Sequence, residues 1–512
     1  MNHAVVLPLL LPLIAGAALV VLHRAPPAVR RGVGLLSTLL MAVAVAALGL
    51  QVEAHGLMVY QVGNWPSFAG IVLLADPLAV LMLGLLVVLA LAAQLFATGG
   101  EDRHGPHFQA LFQFQLFGLA GAFLTHDLFN LFVFFEVLLA ASYGLLLHGQ
   151  GGERLRQGMH YVVLNLLASV LFLLAIGTIY AAAGSLNMSD LSVRIGALAE
   201  GPQALAMAGG ALMLVVFGLK AALLPLSFWL PRTYSAAPAT SALLFALMTK
   251  LGLYALIRIN TLLFGEDAGA LAGFAWPWLF WAGAAGAVFA AISALAARRL
   301  RPLVGQLVVG SAGVVAMAVG MGTQAALAAA LFYLAHSTLT MAAFFLLADW
   351  IRRQRNGGDV LFRAGRLEHR GLLGTLFLFL ALAAVGLPPL GGFLGKVLLL
   401  AYADPSGQGV VLWSVVLGVS VLNLVALARS GSRLFWQPPL PGAAAVAGSG
   451  TGAPGLGERL ALALLLTALV AVAVLASPLA RYVAAAAGLL QQPGQYASAV
   501  LGLDPLPSTE PQ

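Results

Sequence analysis

The chain has 512 residues, of which 61% are apolar and only 8% are charged, with a formal net charge of +7. A water-soluble protein of this length could not bury so much apolar surface, so the composition indicates a protein that crosses a membrane many times. The arginines are dispersed in short loops, which argues against nucleic-acid binding, and the absence of cysteine excludes disulfides and cysteine-bound metal clusters.

Apolar runs of about 20 residues, the length that crosses a bilayer as a helix, occur fourteen times along the chain. The first run has no cationic region before it and no small-residue cleavage site, so we predict a retained helix instead of a signal peptide. The fold class is therefore predicted to be all-α and polytopic, with about fourteen transmembrane helices. The runs lie at 4–22, 32–51, 75–98, 109–125, 127–148, 159–183, 205–231, 238–258, 273–297, 302–322, 325–348, 371–402, 410–430 and 457–477.

Arginine positions support this number of crossings independently. If the N-terminus lies outside and every run crosses, nineteen arginines fall in cytoplasmic loops, and only Arg194, Arg258 and Arg481 fall outside. Such an excess of basic residues on one side is typical of cytoplasmic loops. We therefore predict a multi-pass protein of the cell inner (plasma) membrane with both termini on the outer, periplasmic side.

Two runs are longer than a simple span and contain prolines. The seventh contains Pro225, five residues after Lys220, and the twelfth contains Pro388 and Pro389, shortly before Lys396. Because proline lacks the backbone donor that a helix needs, we predict broken or kinked helices at these prolines. Paired broken helices at related positions indicate the inverted repeats of a transporter, although no repeat is detectable residue by residue.

These features divide the chain into five parts. We predict N-terminal helices 1–3 over 1–108, a first five-helix repeat over 109–258 and a second over 273–433. A linker rich in proline, glycine and alanine is predicted to be flexible over 434–456, and helix 14 with a C-terminal tail occupies 457–512.

Only three lysines occur in the chain, and Lys220, Lys250 and Lys396 all lie inside apolar runs. A lysine in hydrocarbon opposes insertion by ~2.5–3.5 kcal/mol, so lysines at this depth tend to face a protein interior or a wet cavity. Desolvation also makes an ammonium group release its proton more easily. Snorkelling toward the membrane surface is the alternative interpretation for Lys250 and Lys396. Three buried, titratable cations on different helices predict a proton path.

Two further titratable residues lie in the middle of predicted helices. Glu136 is the best candidate partner for Lys220, either as a structural ion pair or as a group whose titration is coupled to that of the lysine. His336 titrates near neutral pH and could relay protons between Lys250 and Lys396, although a lone helical histidine is often only a hydrogen-bonded core residue. The sequence contains no metal-ligand cluster, phosphate-binding loop or nucleophile elbow, so we predict no metal, no cofactor and no catalytic residue.

Four stretches carry most of these residues. They are Phe129-Asn-Leu-Phe-Val-Phe-Phe-Glu-Val, Lys220-Ala-Ala-Leu-Leu-Pro-Leu-Ser-Phe-Trp-Leu-Pro231, Lys250-Leu-Gly-Leu-Tyr-Ala-Leu-Ile-Arg258 and Pro388-Pro-Leu-Gly-Gly-Phe-Leu-Gly-Lys396. Together they resemble the antiporter-like membrane subunits shared by respiratory complex I and the multisubunit Mrp-type cation/proton antiporters, over nearly the whole chain. The resemblance implies two inverted five-helix repeats with discontinuous helices 7 and 12. It also implies a proton route through Glu136, Lys220, Lys250, His336 and Lys396.

Within this family, Lys396 is similar both to the D-type subunits of the antiporters and to the N-type subunit of complex I, and the stretches 132–137 and 228–238 are most similar to the D-type subunits. The resemblance implies a proton-translocating subunit that works with other membrane subunits and exchanges H⁺ for a monovalent cation, most simply Na⁺. The alternative is a proton-pumping subunit of an NADH:quinone oxidoreductase or a related respiratory complex, which would bind no redox cofactor itself. A purely structural subunit is the weakest alternative, because such a subunit has no need of lysines at membrane depth.

Overall fold

The computed structural model describes residues 3–67, 70–149, 151–355, 359–361, 367, 369–402, 407–436 and 454–502. Most of these residues are helical. The α-helices are α1 (Leu7–Val21), α2 (Pro27–His55), α3 (Pro77–Ala97), α4 (Phe108–Leu124), α5 (Leu128–Leu147), α6 (Gly152–Ala183), α7 (Met188–Gly196), α8 (Glu200–Lys220), α9 (Leu230–Ala236), α10 (Ala239–Leu262), α11 (Trp276–Ala296), α12 (Leu300–Val319), α13 (Gln324–Gln354), α14 (Arg370–Val385), α15 (Gly391–Ala401), α16 (Gln408–Gly431), α17 (Leu456–Val474), α18 (Ala476–Leu490) and α19 (Pro493–Leu501).

Many of these helices are suited to a membrane. In the described ranges, twelve helical segments are long and apolar enough to cross a bilayer, and α4, α14 and α15 are shorter apolar helices. These helices correspond to the apolar runs of the sequence. A helix of about 20 residues matches the thickness of the hydrocarbon core. The prediction of a predominantly helical, multi-pass membrane protein is therefore confirmed.

One small sheet lies between α2 and α3. Its strands, β1 (Met58–Gln61) and β2 (Val72–Ala75), pair antiparallel. Strand β2 is buried and leads into Asp76, whose side chain accepts a hydrogen bond from the amide of Ala79 and so caps α3. An all-α prediction misses this hairpin because four-residue strands are too short to give a distinct periodicity.

The helical path through α8 and α9 is interrupted. α8 ends at Lys220, and residues 221–229, which include Pro225, form a series of turns before α9 begins. The turn that follows donates backbone hydrogen bonds to the last carbonyls of α8, and the indole of Trp229 donates a further one to the carbonyl of Leu219. The polar groups freed by this interruption are thus partly satisfied within the protein.

A second interruption separates α14 from α15. α14 ends at Val385, and the next residue, Gly386, has a φ of 80°, in the left-handed region. Pro388 and Pro389 follow before α15 begins. A left-handed glycine is the common way to stop a helix, because it costs glycine no steric strain. The carbonyl of Val385 is left free to accept a bond from a side chain.

The centre of the fold is formed by α10 and α13. The most apolar 18 residues of each are completely buried, whereas the corresponding window is 33% buried at α1 and 39% at α6. α10 packs against α3, α8, α12 and α13, and α13 also packs against α15 and α18. Side chains on α10 and α13 therefore face protein on all sides, and these two helices carry Lys250 and His336.

Two more helices, α18 and α19, follow α17 in the region predicted from the sequence to be a C-terminal tail. α18 packs against α13 and α3, and α19 packs against α7. The hydroxyl of Tyr482 donates a hydrogen bond to the carbonyl of Pro77, and Ser67 donates one to the carbonyl of Val500. The predicted flexible linker lies mostly on residues 437–453, outside the described residues, as does the end of the chain from 503.

Candidate functional site

Lys220 lies against the ring of Phe135, the residue that precedes Glu136 in the chain. The hydroxyl of Ser169, on α6, donates a hydrogen bond to the carboxylate of Glu136 on α5. Lys220 is only 6% exposed, and its ammonium nitrogen lies 4.8 Å from the ring centroid of Phe135. Within the described ranges this ammonium has no hydrogen-bond acceptor and forms no ion pair. Glu136 and Lys220 are therefore close enough to interact electrostatically without direct contact.

Lys250 is completely buried in the middle of α10. Its ammonium donates a hydrogen bond of 2.7 Å to the hydroxyl of Ser311 on α12, and Ser311 in turn donates one of 2.8 Å to the carbonyl of Val308. None of the ion pairs found among the described residues involves Lys250. A charge buried with one neutral partner is costly, so packing alone does not explain a lysine at this position.

Lys396 lies in the second turn of α15 and is 8% exposed. Its ammonium donates hydrogen bonds of 2.6 Å to the carbonyl of Val385 and 2.7 Å to the hydroxyl of Ser420, on α16. The first of these acceptors is available because α14 ends at that residue. The break and the lysine therefore form one unit, in which the interrupted helix supplies an acceptor for the amine.

His336 lies beside the same break and is 2% exposed. Its Nε2 atom is 3.1 Å from the carbonyl oxygen of Ala383 and 3.2 Å from the hydroxyl of Thr340, while Nδ1 has no partner in the described structure. A Cβ atom on Gly392 would lie 2.7 Å from Nε2, so the close approach of α15 to the ring requires glycine there. The imidazole is near enough to interact with the charge of Lys396.

The partners of these titratable groups were not predicted from the sequence. Ser169, Ser311 and Ser420 provide the hydroxyls, and Phe135 provides the ring beside Lys220. Serine in a helix commonly bonds to a backbone carbonyl of its own helix, so its occurrence in an apolar run carries little information. A phenylalanine in an apolar run carries none. Only the packing of different helices reveals these contacts.

A second polar cluster, also missed, surrounds Arg258, eight residues after Lys250 on α10. Its guanidinium donates two hydrogen bonds to the carboxylate of Asp76, at 2.6 and 2.5 Å. The hydroxyl of Tyr496 donates a third hydrogen bond, of 2.7 Å, to the same carboxylate. Burial by itself raises the pKa of Asp76, but the guanidinium and the hydrogen bonds outweigh it and hold the pKa below its ordinary value. His126 stacks on Tyr496, and burial and the nearby guanidinium lower its pKa to about 3.

A partly buried carboxylate caps the opposite end of α10. Glu101 accepts hydrogen bonds from the backbone amides of Ala239 and Thr240, at 2.9 and 3.2 Å, and from the hydroxyl of Thr240 at 2.6 Å. Burial, together with the charge of Asp349, raises its pKa. Sequence reasoning had no signal for this loop glutamate, because most loop carboxylates are simply solvated.

Comparison with known proteins places the chain among membrane transport proteins. A sequence profile described as NADH:quinone oxidoreductase/Mrp antiporter, transmembrane, matches residues 125–422. The D subunit of a probable K⁺/H⁺ antiporter of Rhizobium meliloti is 42% identical over 475 residues, covering 85% of this chain and 87% of that protein. The D subunit of the Na⁺/H⁺ antiporter of Bacillus subtilis is 35% identical over 442 residues, with 85% and 87% covered.

Solved structures of large membrane complexes contain chains of the same fold. A chain of the Mrp complex from a Dietzia species matches 98% of this chain and 100% of its own length, with a TM-score of 0.87 and 26% identity. A chain of respiratory complex I from Thermus thermophilus matches 96% of this chain and 99% of its own, with a TM-score of 0.78 and 26% identity.

Proposed function

This chain belongs to the NADH:quinone oxidoreductase/Mrp antiporter family, and we propose that it is the subunit that moves protons in a multisubunit monovalent cation/proton antiporter. Relatives named as D subunits of antiporters support this assignment, because they match the chain over most of their length. The observation that carries the proposal is that Lys220, Lys250 and Lys396 are all buried and interact with neutral groups on neighbouring helices.

In the proposed route, a proton passes from Lys220 to Lys250 and leaves by way of Lys396. Glu136 acts as the gate, because a nearby negative charge favours a charged Lys220 and the loss of that charge favours proton release. His336 was predicted from the sequence as the relay between Lys250 and Lys396; we propose instead that it acts beside Lys396 at the exit, because its ring bonds to the end of α14 and is near the charge of Lys396. Each step moves charge between amines inside the protein.

We propose that the chain crosses the membrane fourteen times. Counting α4 and the interrupted pair α14–α15 with the twelve longer spans gives this number. The segments 109–258 and 273–433 would then be two inverted five-helix repeats, each with one broken helix, at α8–α9 and α14–α15. The excess of arginine in alternate loops supports a plasma-membrane orientation with both termini outside.

We propose that the exchanged cation is Na⁺ or another monovalent cation and that it passes through other subunits of the complex. Relatives named for both K⁺ and Na⁺ support a monovalent cation. The candidate route of this chain contains three buried lysines, and a buried ammonium repels a metal cation. The likeness to chains of multisubunit Mrp and respiratory complexes supports a role for partner subunits.

Replacing the gate residue tests the proposal. We expect Glu136→Ala to lower antiport in everted vesicles that contain the complete complex on the order of 100-fold, because the Lys220 proton loses the carboxylate that controls it. Antiport is measured as cation-dependent recovery of a ΔpH signal, and assembly by native electrophoresis. Glu153→Ala, at an exposed glutamate at the start of α6, is the matched control. Normal antiport by an assembled Glu136→Ala complex would refute the proposal.

A further inference from the structure

A small cavity lies between Ser311, the hydrogen-bond partner of Lys250, and Lys396. Four polar residues, Ser311, Tyr333, Lys396 and Asn423, line it together with apolar residues of α12, α13 and α16. It leaves about 10 Å³ for the centre of a water molecule, which is room for about one water. The cavity therefore extends from Ser311, to which Lys250 donates its hydrogen bond, to Lys396.

Asn423 gives this cavity a specific polar character. The residue is 8% exposed, lies on α16 one turn after Ser420, and lines the cavity. Its Oδ1 atom has no hydrogen-bond donor in the part of the chain that the structure describes. Buried amide oxygens are rarely left without a donor, since their desolvation is then uncompensated. A water molecule in the cavity would supply the missing donor.

The other lining groups have unused hydrogen-bonding capacity as well. Ser311 accepts one bond from Lys250 and retains a second lone pair, and the Lys396 ammonium has two acceptors for its three N–H groups. A water here would therefore have Ser311, Asn423 and Lys396 as polar neighbours, within the range of two to four partners that buried waters normally have. An apolar cavity of the same size would stay dry.

We propose that Asn423 holds a water molecule that connects Lys250 to Lys396 through Ser311. The idea rests on the proposed function and specifies how its central step occurs. The Lys250 ammonium gives a proton to the Ser311 oxygen as the Ser311 hydroxyl turns from its carbonyl acceptor and passes its own proton to the water. The water releases a proton to the neutral amine of Lys396. Lys250 ends neutral, Lys396 ends charged, and Ser311 and the water are unchanged in composition.

This connection does not pass through His336. The imidazole is absent from the lining of the cavity, and its Nε2 atom is directed at Ala383 and Thr340. Asn423 itself transfers no proton, because an amide does not titrate in this range. It is a positioning residue that acts through the water.

Replacing the amide with an apolar side chain of similar branched shape tests the connection. We expect Asn423→Leu to lower antiport by the assembled complex roughly tenfold, because the water loses its anchor. We expect Val419→Leu, which fills the same cavity from α16, to lower it as well, and Asn423→Ser, which leaves a hydroxyl and room for water, to restore much of the activity. Asn260→Leu is the matched control, since Asn260 is a buried asparagine that bonds to its own helix at Leu256.

The ratio of antiport rates in H₂O and D₂O separates a proton-transfer role from a structural one. We expect this ratio to rise in Asn423→Leu, because the proton step becomes rate-limiting, whereas a variant that is merely destabilised loses rate without changing the ratio. If Asn423→Leu and Val419→Leu both keep the wild-type rate while Glu136→Ala abolishes antiport, the water connection is wrong and the proposed function stands. If Glu136→Ala keeps its activity, the proposed function itself fails.

Discussion

Two of the three buried lysines, Lys250 and Lys396, donate hydrogen bonds to neutral oxygens. Lys250 bonds to the hydroxyl of Ser311, and Lys396 bonds to the hydroxyl of Ser420 and to a backbone carbonyl. A hydroxyl accepts a hydrogen bond from a charged amine and can donate one to a neutral amine, so it stabilises both protonation states. A carboxylate partner would hold the amine in its charged form. The hydroxyl partners therefore suit groups that gain and lose a proton repeatedly.

Ser311→Ala tests whether the hydroxyl partner of Lys250 is needed for transport. The variant leaves a buried ammonium without its partner, and hydrogen bonds to charged groups contribute ~1.5–3 kcal/mol. We expect antiport to fall on the order of 10- to 100-fold, with the complex still assembled. Ser337→Ala is the control, since Ser337 is buried on α13 and bonds only to its own helix at Leu334. Equal rates for Ser311→Ala and Ser337→Ala would show that the hydroxyl has no part in transfer.

The charged residues of the candidate route could be predicted from the sequence, but their partners could not. Lys250 and His336 stand out because charged and titratable groups are rare in apolar runs, and their rarity reflects the cost of burying them. Ser311 and Asn423 do not stand out, because small polar residues are tolerated in membrane helices at little cost. Their importance depends on which helices meet, and pairings between distant helices leave no periodic signal in one sequence.

The interruption between α14 and α15 brings Lys396 and His336 together. The end of α14 supplies acceptors for Lys396 and for the ring of His336, and α15 then approaches that ring through Gly392. Prolines in a long apolar run made an interruption predictable. Its geometry was not predictable, because the left-handed turn at Gly386 depends on a single residue and on how the two half-helices pack.

Gly386→Ala tests how closely this geometry sets the position of Lys396. A left-handed conformation costs a residue with a Cβ atom ~1–2 kcal/mol, and the added carbon would lie 3.0 Å from the Cδ atom of Lys396. We expect antiport to fall roughly tenfold because the amine is displaced from the carbonyl of Val385. Gly371→Ala, in the first turn of α14 with open space around it, should leave the rate unchanged. Similar rates for both variants would mean that the turn tolerates a side chain.

The helix that carries Lys250 is fixed toward both ends by carboxylates, of which Asp76 is buried and Glu101 is partly buried. Glu101 caps its first turn, and Asp76 binds Arg258 beyond the lysine. At 1.5 Å per residue, Lys250 lies ~15 Å from the capped end and ~12 Å from Arg258. Helix α10 is thereby restrained along its axis, which keeps Lys250 in register with Ser311. This arrangement joins the N-terminal helices, the central helices and the C-terminal helix α19 into one unit.

Helix α19 is expected to stabilise the ion pair between Asp76 and Arg258. Ending the chain after Gln492 removes Tyr496, which donates a hydrogen bond to Asp76 and covers the Arg258 pair. We expect the purified complex to lose at least ~1.5–3 kcal/mol of stability, measured as a lower melting temperature, because a bond to a charged group is lost and water reaches the ion pair. Tyr496→Phe removes the hydroxyl alone and should give a smaller decrease.

Ending the chain after Gly502 keeps α19 whole and serves as the control for this truncation. The effect should also depend on pH. Because the folded pKa of Asp76 lies below its ordinary value, its ionised form contributes stability above the usual aspartate range near pH 4, and this contribution disappears as the pH falls through the lower folded pKa. The difference between Tyr496→Phe and the parent complex should therefore be largest near neutral pH and should shrink in acid. A difference that stays constant down to strongly acidic pH would show that Tyr496 acts by packing alone.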